Sequence, residues 1–328
     1  MSTTPATLTS VLDAGGPLLS RALQRTEARL AEIAHGHGEV LGRHAAGTLA
    51  AGGKRLRPVL VALCGGEGDA LTSASVAVEL LHMATLVHDD VLDGARLRRG
   101  VPTVYAVSGR GAATSTGDLL FSRAFAELAS TRSPDAVEAL SLASSALARG
   151  ELMQRADAWS SSVAPERYLE RCELKTASLF AAACRLGALL GDAPDAPDAP
   201  DALARFGGRV GLAFQILDDV LDVSGPAERT GKHRGADLLD GTVTLPLIVA
   251  RGRDPELAGM DLGAVVTGPA QADAVCDRIA KTGALGEARE QALGYVAEAK
   301  AALYDIELPP QRLHALELVA DGVVERYA

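Results

Sequence analysis

Three carboxylates, Asp89, Asp90 and Asp93, close an otherwise apolar stretch that runs from Ala74 to Leu92. On a helix, Asp89 and Asp93 share a face one turn apart, about 5.4 Å along the axis. Asp90 points roughly 100° away from them. Aspartate is a poor helix-interior residue, so propensity alone does not put three there. The pattern returns as Asp218, Asp219 and Asp222, again with Val-Leu between the second and third acids. Carboxylates paired one turn apart suit a hard cation. Magnesium takes oxygen ligands, keeps several waters, and binds through a few carboxylates plus substrate phosphates. Two such clusters sharing a site repel one another unless cations bridge them.

The complementary charges stand in glycine-containing loops. These are Gly52-Gly53-Lys54-Arg55-Leu56-Arg57-Pro58, Arg96-Leu97-Arg98-Arg99-Gly100, and Thr230-Gly231-Lys232-His233-Arg234-Gly235-Ala236-Asp237. Glycine lets a backbone approach a ligand closely. Arginine offers a planar fork that matches phosphate oxygens. Acids and cations together make a site for a diphosphate held by several Mg²⁺, with a second anion site at Lys54, Arg57 and Arg99. With apolar walls around it, a diphosphate that leaves a hydrocarbon is the natural substrate, and the metal is the Lewis acid that stabilises the leaving group.

The whole chain bounds this reading. It has 328 residues and a formal net charge of −10, which argues against a nucleic-acid or anionic-membrane binder. Aromatics are only 3%, so the core is built from Ala, Leu and Val, a composition that favours helices. Cys64, Cys172, Cys184 and Cys276 form no Cys-x-x-Cys pair and read as buried reduced thiols. Residues 1–10 lack a basic segment followed by an apolar one, so no signal peptide is expected. The longest apolar run, Leu179 to Leu190, contains Arg185 and is too short to span a bilayer. The expectation is a soluble, cytoplasmic protein.

The elements that must position these residues read as helices. Residues 1–15 are taken as a loose leader, with Pro17 opening a helix at its first position. His35-Gly36-His37-Gly38 reads as a loop, and a second helix is expected from Glu39 to Ala51. Thr72 or Ser73 caps the helix that ends in the first acids. Pro134 and Pro165 open two more, the second containing Lys175-Thr176. The Asp-Ala-Pro repeat at 192–201 reads as a surface linker. Leu203 to Val223 is helical and carries the second acids. A short apolar helix opens at Thr244-Leu245-Pro246, and three amphipathic helices fill 268–328. Strand and hairpin signals are almost absent. The fold class is therefore all-α: a single domain over 1–328, one large bundle of about a dozen helices around a central cavity, into which facing helices present ligands.

These motifs resemble the trans-isoprenyl diphosphate synthases, the polyprenyl synthetase family, over roughly residues 50–250. The resemblance rests on Gly52 to Pro58, Glu79-x-x-His82, the two Asp-Asp-x-x-Asp clusters, Arg98-Arg99-Gly100, Gly117-Asp118, Lys175-Thr176, Phe214-Gln215 and Gly231-Lys232-x-x-Gly235-x-Asp237. It implies an isoprenoid-synthase fold, a homodimer and a Mg²⁺-dependent condensation of isopentenyl diphosphate with an allylic diphosphate. It further implies Mg²⁺ on Asp89, Asp93 and Asp218, with Asp90, Asp219 and Asp222 completing the metal set. Arg98, Lys175 and Lys232 hold the allylic diphosphate; Gly53, Lys54, Arg57, His82 and Arg99 hold isopentenyl diphosphate. Thr176 and Gln215 flank the reacting carbons. The released diphosphate is the base, so His88 is structural. One departure stands out: Thr242 occupies a position where the family often has lysine.

Product length follows from the residues before Asp89. The allylic tail runs from the metal site down the same helix, and an isoprene unit is comparable in length to one turn. Ala84 and Thr85, one turn below, are small, and Leu81 lies two turns down. The first floor is open, which points to a product of C20 or longer. Replacing Ala84 with Phe or Tyr is expected to shorten the product, read by chromatography of the dephosphorylated prenols. An unchanged product distribution would remove the steric argument.

Overall fold

Helix propensity and helical spacing are realised almost throughout the computed structural model of the chain. It describes residues 6–36, 42, 44, 47, 53, 55–98, 100–192, 197–225 and 233–325. Most of the helix expected at 39–51, together with His37 and Gly38, lies outside the described residues, as do Gly52, Lys54, Arg99, Thr230, Gly231 and Lys232.

In chain order the helices begin with α1, Ala6–His35. Residues 6–15 are thus helical and not a leader, and Val11 is buried because it lies on the core side of α1. The chain breaks at Gly16, with φ 66° and ψ −162°, and restarts helically at Pro17. Helix α2 spans Leu56–Gly65, and α3 spans Asp69–Leu92. The α3 start precedes the expected Thr72 cap; the Thr72 hydroxyl instead donates back to the Gly68 carbonyl at 3.0 Å. Two short strands follow, β1 at Leu97–Arg98 paired antiparallel with β2 at Val101–Pro102. Gly100 has φ 78°, the backbone conformation the turn requires.

Helix α4, Val104–Ala129, is capped by the Thr103 side chain, which accepts from the Ala106 N–H at 3.0 Å. Helices α5 (Pro134–Ala156) and α6 (Pro165–Cys172) open at the expected prolines. A single π-helical turn, Glu173–Ala177, joins α6 to α7, Ser178–Leu190. Helix α8 covers Ala199–Ser224, so the linker is shorter than expected: Ala199 is fully buried and already helical. The remainder comprises α9 (Ala236–Leu239), α10 (Leu245–Arg253), α11 (Pro255–Gly259), α12 (Leu262–Val265), α13 (Pro269–Lys281), α14 (Ala284–Leu303) and α15 (Pro310–Glu325).

Packing divides the chain into two compact units. One comprises Met1–Ser144, Leu179–Gly207 and Ala301–Val319; the other comprises Ser145–Ser178, Gly208–Lys300 and Ala320–Ala328. In the first, α3 is the central helix. Ala74 to Leu81 are buried on every face, which is why their sequence shows no polar stripe. Helices α2 and α7 meet backbone to backbone. A Cβ on Gly187 would lie 2.6 Å from the Val61 carbonyl oxygen, so only glycine permits the approach. In the second unit, Val210, Leu212, Ala213, Ile216, Leu217 and Val220 of α8 form the apolar face of the core.

The expectation that nothing reaches membrane-spanning length is corrected for one helix. Among the described residues, α3 is long and apolar enough, yet 67% of its most apolar window is buried within the protein. Burial, not lipid, accounts for its composition. All four cysteines are free and buried, as read from their spacing.

Candidate functional site

The first acid cluster ends α3 in the first unit. Asp93 is the C-cap, and its N–H donates to the Asp89 carbonyl at 2.8 Å, so the two acids stand one helical turn apart. Asp89 is half-buried and Asp93 exposed. Asp90, rotated off that face, is buried and accepts from Arg98 Nε at 2.7 Å. Burial pushes the Asp90 carboxyl up, and Arg98 opposes that shift only in part. The hairpin places Arg98 for this pairing, and the Thr103 hydroxyl ties the loop back by donating to the Ala95 carbonyl at 2.6 Å. Arg98, expected on a diphosphate, is thus paired with an acid of the cluster itself.

The Lys-Arg loop is anchored by a residue that spacing did not single out. Arg55, the N-cap of α2, adopts φ 48° and ψ 34°. That left-handed conformation is uncommon outside glycine, and here a strong anchor holds it. Arg55 bridges Glu27 of α1, at 2.5 Å, and Glu79 of α3, at 2.7 Å. Glu79 is 4% exposed. A buried acid in an otherwise apolar helix needs a cation, and Arg55 supplies it. One residue beyond the helix start, the Arg57 guanidinium lies 4.6 Å over the Phe180 ring, a cation–π stack on α7. Gly53 is exposed, and His82 is half-buried on α3. Lys54 and Arg99 fall outside the described residues.

Along α3, Leu81 and Ala84 are completely buried and Thr85 is half-buried, its hydroxyl donating to the His82 carbonyl at 2.7 Å. His88 packs against Gly117 of α4: a Cβ there would lie 2.3 Å from its Nε2. The same nitrogen is 3.2 Å from Asp118 Oδ1. Gly117-Asp118 is therefore the seat of the His88 ring.

The second unit gathers the other acids with Lys175, Thr176 and Gln215. Both oxygens of Asp219 are engaged: Oδ2 accepts from the Tyr168 hydroxyl and Oδ1 from Gln215 Nε2, each at 2.7 Å. Gln215 Oε1 in turn accepts from the Thr176 hydroxyl at 2.6 Å. Asp219 is 3% exposed. Burial, and then the Asp237 charge, push its carboxyl up, while Tyr168, Gln215 and Arg171 favour the ionised form. Asp218 and Asp222 are half-buried. Asp222 Oδ2 accepts from the Asp237 N–H at 3.2 Å, and its carbonyl from the Gly235 N–H at 2.9 Å. Arg234 fastens the same loop by donating to the Val223 carbonyl at 2.6 Å and to Asp277 at 2.7 Å. Lys232, next to this loop, is outside the described residues.

Lys175 sits on the π turn, a local widening that recurs at functional positions. Its ammonium is paired with Glu151 and donates to Gln154 Oε1 at 3.1 Å. Burial pushes the Glu151 carboxyl up, but the Lys175 charge and hydrogen bond outweigh burial and leave it below its ordinary value. Gln154 Nε2 points to Thr242 Oγ1 at 3.4 Å. Thr242 thus lies within reach of the group that holds Lys175. Tyr168, Arg171, Glu151 and Gln154 had no motif to flag them.

The donor set suits Mg²⁺: carboxylate oxygens, hard and anionic. Among the described residues no three acids, histidines or cysteines converge into a closed cage. A cation held on such acids would take the rest of its shell from water and phosphate oxygens.

Comparison with known proteins agrees in sequence and in structure. The chain matches the family described as polyprenyl synthetase over residues 39–276. The heptaprenyl diphosphate synthase component 2 of Geobacillus stearothermophilus is 41% identical over 249 residues, 75% of this chain and 77% of that protein. The geranylgeranyl diphosphate synthase of Methanosarcina mazei is 35% identical, covering 84% and 86%. The crystal structure of a decaprenyl diphosphate synthase from Rhodobacter capsulatus superposes with a TM-score of 0.87 at 33% identity, covering 96% and 99%.

Replacing Glu79 with Ala leaves the half-buried Arg55 guanidinium short of one partner. A loss of about 3 kcal/mol is expected, read by chemical unfolding against the wild-type chain. A change below about 1 kcal/mol would mean that Arg55 does not anchor this loop.

Proposed function

The chain belongs to the polyprenyl synthetase family, and from that premise we propose how its residues carry out prenyl transfer. It is a trans-prenyltransferase of isoprenoid synthesis, making a polyprenyl diphosphate of C20 or longer from isopentenyl diphosphate and an allylic diphosphate. The observation that carries the reading is the arrangement of the acids. In each cluster the middle acid is buried and held by protein donors, while its two neighbours stay more accessible at one-turn spacing.

In this reading Asp89, Asp93 and Asp218 hold Mg²⁺, and Asp90, Asp219 and Asp222 keep those ligands in place. When bound, the metal neutralises charge building on the leaving diphosphate. Arg98, Lys175 and Lys232 bind the allylic diphosphate; Gly53, Lys54, Arg57, His82 and Arg99 bind isopentenyl diphosphate. Lys175 is well suited to the role. Glu151 and Gln154 hold its ammonium in place before any substrate arrives, which reduces the ordering cost of binding. The allylic carbon–oxygen bond breaks and its electrons leave with the diphosphate. The isopentenyl double bond attacks that carbon, and a proton passes to the released diphosphate. The oxygens of Thr176 and Gln215 stand beside the carbons that carry positive charge. Ala84, Thr85 and Leu81 set the depth available to the growing tail.

The proposal extends to a cytoplasmic homodimer in which the whole chain acts as one isoprenoid-synthase domain. A second reading keeps the chemistry and changes the assembly, because two relatives are named heptaprenyl diphosphate synthase component 2. One assay separates them: the purified chain alone with Mg²⁺, isopentenyl diphosphate and labelled allylic primers from C5 to C20, products sized after dephosphorylation. Products of C20 or longer are expected from the chain alone. Activity only after a second polypeptide is added supports the two-component reading. No elongation from any primer under either condition overturns the function.

A further inference from the structure

Helix α6 places Tyr168 and Arg171 one turn apart, and neither belongs to a motif that the family reading uses. Both are buried, Tyr168 completely and Arg171 to 3% exposure. A buried hydroxyl and a buried guanidinium are costly unless something requires them. Arg171 lies 5.3 Å over the Tyr168 ring, and its Nη2 donates to the Val243 carbonyl at 2.5 Å. Tyr168 donates to Asp219, Gln215 donates to the other oxygen of Asp219, and Thr176 donates to Gln215. The three hydrogen bonds that link Thr176, Gln215 and Tyr168 to Asp219 therefore all run toward Asp219.

That direction has a chemical consequence. An amide can present either end, and its hydrogen-bond partners decide which. With the amide NH₂ taken by Asp219, the Gln215 carbonyl oxygen must face Thr176. The Thr176 proton is then committed to Gln215, and its oxygen is left as an acceptor only. Two oxygens with outward lone pairs are the arrangement that stabilises a developing positive charge. An Asp219 turned away from this geometry would free the amide to flip and let Thr176 present its proton instead.

We infer that Tyr168, supported by Arg171, is a positioning residue for prenyl transfer: it holds Asp219 as a double acceptor and so sets the polarity of Gln215 and Thr176. This rests on the prenyl-transfer reading above. Tyr168 touches no substrate in this account; it acts through Asp219.

A double-mutant cycle tests it. Tyr168→Phe removes only the hydroxyl. It is expected to lower kcat about tenfold while KM for both diphosphates moves less than about threefold. In a Gln215→Ala background the relay is already cut, so the same change should lower kcat by less than about twofold more. Arg171→Lys keeps the buried charge and loses the planar stack on the ring. It should show the same pattern and serves if Tyr168→Phe does not fold. Costs that multiply in the double mutant, or a kcat unchanged by Tyr168→Phe, overturn the inference while leaving the function intact. A wild-type chain that elongates no primer overturns the function reading, and this inference falls with it.

Discussion

Carboxylates gathered near a helix end repel one another, and each acid cluster is organised around that repulsion. Each cluster meets it in the same way. The acid that points off the shared face turns inward, is buried, and is satisfied by protein donors: Arg98 for Asp90, and Tyr168 with Gln215 for Asp219. The remaining two stay one turn apart and more accessible. The i, i+1, i+4 spacing is what makes this division of labour possible, because 100° separates the middle acid from its neighbours.

The cations follow the same logic. Arg55, Arg98 and Lys175 each have an acid of the protein as partner, so none is an uncompensated charge. Pairing holds long, flexible side chains in place at some cost in direct attraction to a ligand. In a chain with net charge −10 it also keeps basic residues from acting as a general anion-binding surface. Under the proposed function, specific diphosphate recognition would then depend on geometry and on metal, and much less on total charge.

Much of this was legible in the sequence. The doubled acid pattern, the prolines at helix starts and the absence of strand alternation gave the fold class and the candidate metal ligands. The limits have physical reasons. Residues 6–15 were read as a leader because polar composition hides one buried face that carries Val11. The hairpin at 97–102 is too short to show alternation. Arg55 was hidden because its partners, Glu27 and Glu79, come from distant helices, and Tyr168 because a lone aromatic on an amphipathic helix reads as core. The π turn at 173–177 leaves no compositional mark. For Arg55 and Tyr168 a long-range contact decides the role, and single-chain spacing does not encode it.

The central claim is that the accessible acids act through Mg²⁺ on a diphosphate. Calorimetric titration of a non-reactive allylic thiodiphosphate, with Mg²⁺ and with chelator, tests it most directly. The account predicts tight binding only with Mg²⁺, weakened at least about tenfold, or 1.4 kcal/mol, by Asp93→Asn. Equal affinity in chelator, or a titration indifferent to Asp93→Asn, would contradict it.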